Sequence, residues 1–143
     1  MKRYNQVILD GQMSLKRIYA IRGALAVEAV LTTDLAVLGG RHRVVCENEL
    51  ALETLGFLLA GRSHREAGLQ ATVHGWLWSG GERAHVVARE VVFHVPPQLR
   101  EQAVNAIKQL RKAGGLPETL AVNGWRVDVR EILADVEIGG APV

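Results

Sequence analysis

Residues 68–95 read GLQATVHGWLWSGGERAHVVAREVVFHV, and their interpretation decides the fold. LQATVHGWLW and HVVAREVVFHV both alternate apolar with polar residues, and SGGERA between them is a glycine-centred turn, so the stretch predicts a strand, a hairpin turn and a second strand. Side chains two apart on a strand share a face, which puts Trp76 and Trp78 together. With Val73, Gly75 and Leu77 taken as the inner face, both indoles look outward. They then serve either as a platform for stacked bases or as cover for a subunit interface or the C-terminal helix.

Upstream, YNQVILDGQM (residues 4–13) alternates with Val7, Leu9 and Gly11 on one face, and Gly11 marks a bend or a close approach of backbone. IYAIRGALAVEAVLTTD (residues 18–34) predicts a further strand after a turn at Gly23, with Leu25, Val27, Ala29 and Leu31 at period two. A Gly39-Gly40 turn leads to a short strand around residues 43–46. Residues 49–61, ELALETLGFLLAG, predict a short helix through Leu50, Leu55, Leu58 and Leu59. Downstream of Pro96-Pro97, Leu99, Ala103, Ile107 and Leu110 predict an amphipathic helix over 97–113, stopped by Gly114-Gly115. TLAVNGWRVDV then places Asn123-Gly124 between apolar alternations, a strong hairpin signal, with Trp125 expected to pack. The expected architecture is mainly β: a small five-stranded barrel over residues 1–95 with one internal helix, and a helix and hairpin over 96–143 that pack on it or on a neighbouring subunit.

The chain has 143 residues with ordinary globular composition, enough to bury a core without covalent staples. Its single cysteine, Cys46, reads as a buried inert thiol in a reducing compartment. No apolar run reaches the length of a membrane span and no signal peptide is evident, so a cytoplasmic protein without membrane contact is expected. The formal net charge of +2 permits an anionic partner without demanding one.

The segments resemble the bacterial single-stranded DNA-binding family, an OB-fold family. The family's first strand, N-x-V-x-L-x-G-x-L, is met by Asn5, Val7, Leu9, Gly11 and Met13. Its third strand and helix, W-x-R-V-V-x-F-G-K-L-A-E, are met by Arg43, Val44, Val45, Leu50, Ala51 and the neighbourhood of Glu53. GLQATVHGWL resembles the fourth strand through Gly68, Val73, Gly75 and Leu77, and residues 86–93 resemble the fifth. The departures fall on the binding residues: the family's stacking tryptophan is Arg41 here, its phenylalanine Glu47 and its glycine Asn48. SGGERA is short where the family has a long basic loop, and EIGGAPV stands where the family has an acidic recruiting tip.

The resemblance implies a non-enzymatic protein that holds single-stranded DNA, or RNA, along a basic groove in replication, recombination or repair, as a homodimer or homotetramer. Arg41, Arg43, Arg62, Arg65, Arg83, Lys16 and Arg17 are the expected phosphate ligands, and Trp76, Trp78 and Tyr19 the expected stacking groups. The alternative is an OB-fold adaptor, of the primosomal type, that works through protein partners such as replication or repair proteins. No catalytic constellation and no phosphate-cradling loop is found, and the histidines lack the spacing of a metal site, so no cofactor or metal is expected.

Overall fold

The computed structural model describes residues 5–21, 24–33, 40–78 and 84–139. Strand β1 (Gln6–Ile21) is a single long strand. It pairs antiparallel through residues 6–13 with β4 (Leu69–Trp78) and through residues 12–21 with β2 (Ala24–Thr32), so one strand serves two neighbours and must bend between them. Gly11 lies at that crossing. A Cβ there would stand 2.3 Å from the Thr32 carbonyl oxygen, which accounts for the glycine. The sequence pattern carries the first strand only to Met13 and places the second after the turn at Gly23; the structure extends β1 through to Ile21, with a bulge at Lys16 that carries the pairing with β2 past the interruption in alternation. Tyr4, Gly23, Asp34 and Gly39, and most of SGGERA, lie outside the described residues.

β2 pairs antiparallel with β3 (Arg41–Glu47), β3 pairs parallel with β5 (His85–Phe93), and β5 pairs antiparallel with β4. With β4 on β1 and β1 on β2, the five strands close into a barrel. Met13, Leu15, Val27, Leu31, Val44, Cys46, Val73 and Val86 fill it. Between β3 and β4, α1 (Asn48–Ser63) is buried through Ala51, Leu55, Leu58 and Leu59. Asn48, where the resembled family has glycine, has φ 57°, a left-handed conformation that asparagine tolerates better than most side chains.

Helix α2 (Pro97–Ala113) begins and ends as the prolines and glycines predict. Gly114 takes φ 70° and its N–H donates to the carbonyls of Arg111 and Leu110. Its apolar face of Ala103, Ala106, Ile107 and Leu110 lies on α1, and Arg100 sits over Phe57, which stacks on Phe93 with ring centroids 4.6 Å apart. The tail hairpin is present as β6 (Thr119–Val122) and β7 (Trp125–Asp128), with Asn123 and Gly124 at φ 49° and 87° in the turn. Leu120 and Val122 join the same apolar core as the barrel. Trp125, expected to pack, is instead 71% exposed, because the hairpin anchors through β6 and leaves the tip of β7 outside.

Asp128 caps the short helix α3 (Val129–Ile132), accepting from the N–H groups of Arg130 and Glu131. The chain then returns to the barrel, where β8 (Glu137–Ile138) pairs parallel with Arg17 and Ile18 of β1. No helix among the described residues is long and apolar enough to cross a membrane.

Candidate nucleic-acid interface

Alternation fixes which side chains the barrel turns outward. Starting from the parallel pair Val45 and Val87, one row of outward positions runs through Trp76 to Gln6 in one direction. In the other it runs through Glu28 to Arg17. The adjacent row holds Arg43, opposite Val30, and His85, opposite Trp78; each lies two residues before the Val45–Val87 pair. Cations and indoles therefore share one outer wall, with β5 between them. A bulge between His74 and Gly75 adds Arg89 to that wall, and its guanidinium lies 5.8 Å from the centre of the Trp76 ring. At the bulge the backbones come so close that a Cβ on Gly75 would stand 2.2 Å from the Val87 carbonyl oxygen.

No protein-family description and no curated protein matches the sequence. Among solved structures, the single-stranded DNA-binding (SSB) domain of a Synechococcus protein superposes with a TM-score of 0.50 at 18% identity, over 66% of this chain and 99% of that one. This chain has the OB fold. The dimeric N-terminal domain of PriB from Thermoanaerobacter tencongensis aligns at TM-score 0.44 and 15% identity, over 64% of this chain and 98% of that one. A deletion mutant of the single-stranded DNA-binding protein from Thermus aquaticus aligns at 0.47 and 24%, over 65% of this chain and 43% of that one.

On this OB barrel the residues expected to bind strands separate into distinct groups. Trp78 is 58% exposed near the end of β4, and Trp76 is half-buried beneath Arg89. Leu77, expected to point into the core, is itself substantially exposed, so the inner face of β4 ends at Gly75. Arg41 is exposed at the start of β3, and Lys16 is exposed at the bulge of β1. Arg65 is exposed in the connection after α1, away from the rows just described, with φ 62°. Arg83 lies outside the described residues.

Three expected ligands are engaged elsewhere. Arg62 is a clamp: it donates to the Ile132 carbonyl at 3.0 Å, the Leu15 carbonyl at 3.4 Å and both Asp135 oxygens at 2.5 and 3.2 Å. Arg17 pairs with Glu137 at 2.5 Å, and Arg43 donates through Nε to the buried Glu28 carboxylate. Tyr19 is only 3% exposed and offers no face to a base; desolvation raises the pKa of its hydroxyl. Tyr19 faces outward by register, opposite Ala26, yet that part of the wall is closed.

Sequence reasoning missed Glu28, and it read His85 as an ordinary strand histidine. The pattern LAVEAVL did place Glu28 on the face opposite Val27 and Ala29, but only tertiary packing shows that it is buried and paired. Among the described residues no group of acidic, histidine or cysteine side chains is placed to hold a metal ion.

Proposed function

We propose that this chain binds single-stranded DNA without strong sequence preference, as a non-enzymatic component of replication, recombination or repair. The observation that carries this reading is the outer wall of the OB barrel around β3, β5 and β4. There, exposed Trp78 and Arg89-capped Trp76 share a surface with exposed Arg89, and exposed Arg41 and Lys16 stand on the neighbouring strands β3 and β1. Indoles supply sequence-tolerant stacking worth about 1–3 kcal/mol per base, and cations supply the phosphate contacts. Arg41, in the place of a family aromatic, can contribute a guanidinium plane as well as its charge.

The test is titration with an oligo-thymidine, read by tryptophan fluorescence and by anisotropy of the labelled strand, at low and moderate salt and against a duplex control. Exposed Trp125 would report nonspecific encounters, so the titration is made in a Trp125→Phe background. Saturable quenching that weakens with salt and is absent with duplex supports the reading. A flat anisotropy signal at low salt ends it.

A second reading, an assembly or adaptor module, is favoured by one further observation. Ile8 and Val92 are exposed on the outer face of the β1–β4–β5 side that also carries the tryptophans. Apolar exposure of this kind suits a homodimer or homotetramer. Sedimentation velocity of the wild type and of Ile8→Lys separates the two uses: a shift to smaller species with strand affinity retained assigns Ile8 to assembly.

A further inference from the structure

Glu28 is a carboxylate in the middle of the cationic part of this wall. Its neighbours in register are Val45 on β3 and Arg17 on β1. On a solvated strand face it would meet water, yet its side chain is 3% exposed, and among the described residues it is the one buried charged side chain. Burying a carboxylate is costly unless a cation and hydrogen bonds compensate it. Arg43 provides that compensation through Nε. Across β2, Arg17 directs Nη2 to Glu137, while its own Nε is buried with no hydrogen-bond partner among the described residues. The two arginines keep 23% and 25% of their side-chain surface exposed, so both reach solvent while each is held by a carboxylate.

A guanidinium offers the same fork of donors to a carboxylate as to a phosphate, so the two compete for it. With Nε committed to Glu28, a phosphate that took the Nε side of the Arg43 fork would leave Glu28 buried and uncompensated. We propose that Glu28 is a built-in counter-charge that holds Arg43 off passing phosphates and thereby sets the strand affinity of this face, an inference that rests on the strand-binding function proposed above. The strand then gains its grip on the wild-type protein from Arg41, Lys16, Arg89 and the indoles, with Arg43 held in reserve.

The test measures oligo-thymidine affinity against salt for the wild type, Glu28→Gln, and the double variant Glu28→Gln/Arg43→Gln, each with a melting curve. Glutamine keeps the shape and an acceptor for Arg43 while removing the charge. The expected result is a roughly three- to tenfold tighter Glu28→Gln at low salt, with a log–log salt slope steeper by about 0.7, the value for one added single-strand phosphate contact. The double variant returns to wild-type affinity.

A folded Glu28→Gln that binds no tighter than a binding wild type overturns the counter-charge and leaves strand binding intact. A double variant weaker than wild type also overturns it, because Arg43 was then already on the phosphates. Should Glu28→Gln not fold, Glu28→Met/Arg43→Leu replaces the pair by apolar groups, and wild-type affinity supports the proposal while weakened affinity overturns it. If none of the folded proteins binds at low salt, the strand-binding function and the counter-charge fail together.

Discussion

Trp78 and Trp125 are both exposed indoles in different surroundings, and the contrast gives a test at single residues. Trp78 lies beside His85 and in the row next to Arg89-capped Trp76, whereas Trp125 sits at the tip of the tail hairpin. Trp78→Ala is expected to weaken oligo-thymidine binding by about 1–3 kcal/mol, the worth of one stacked base, and Trp125→Ala to leave it unchanged. Anisotropy titration of both variants checks this. Cys46 provides a second residue-scale prediction. It is fully buried, accepts a hydrogen bond from Thr54 and has its pKa pushed up to about 11, chiefly by desolvation. The thiolate is the reactive form, so at pH 8 the native protein is expected to resist a thiol reagent until denaturant unfolds it, when the group reacts at an ordinary rate. The burial of Cys46 agrees with the sequence reading, which rested on a lone cysteine with no base placed near it. The exposure of Trp125 was not legible in the sequence, because alternation in a hairpin says which residues share a face and not how far its tip extends beyond the core.

Among the elements, β1 depends most on one position. Its two halves serve different partners, and the bend between them brings Gly11 against the Thr32 carbonyl. The obstruction is backbone on a paired strand and cannot swing aside. Gly11→Ala is therefore expected to destabilise the fold by about 1–3 kcal/mol, the cost of overpacking, seen as a lower denaturation midpoint with an unchanged slope. The glycine and its close approach could be read from the strand pattern. The continuity of residues 6–21 could not, because a bulge interrupts alternation in the same way as a turn does. Helix α2 was legible to the residue at both ends, since proline before it and Gly114 after it are local constraints that need no tertiary partner.

For the whole molecule, the C-terminal segment is tied to the barrel by charge as well as by core. Arg62 joins α1, the β1 backbone and residues 132–135, and Asp135 has its pKa lowered below the usual aspartate value by the hydrogen bond from Arg62. Because the folded pKa is depressed, the contribution of this pair is present above the ordinary aspartate pKa and is lost as pH falls through the folded value. Amide exchange in residues 129–138 is thus expected to speed up as pH is taken below about 4, after correction for the intrinsic rate, and Asp135→Asn is expected to remove that dependence. Arg62→Ala is expected to cost about 2 kcal/mol by losing charge-assisted hydrogen bonds, with strand affinity unchanged, because this arginine faces a clamp rather than a phosphate. Thermal melts paired with anisotropy titrations test both halves of that statement.

By itself the sequence determined what is local and periodic: strands by alternation, helix ends by proline and glycine, the tail turn by Asn-Gly, and the outward pairing of Trp76 with Trp78. Tertiary structure alone decided which cations are available. Arg17, Arg43 and Arg62 look alike along the chain, but each meets a carboxylate distant in sequence: Glu137, Glu28 and Asp135. Periodicity assigns a side chain to a face of its element. Whether its charge is free depends on what folding brings opposite it, and in a closed barrel that neighbour comes from another strand or from the returning chain.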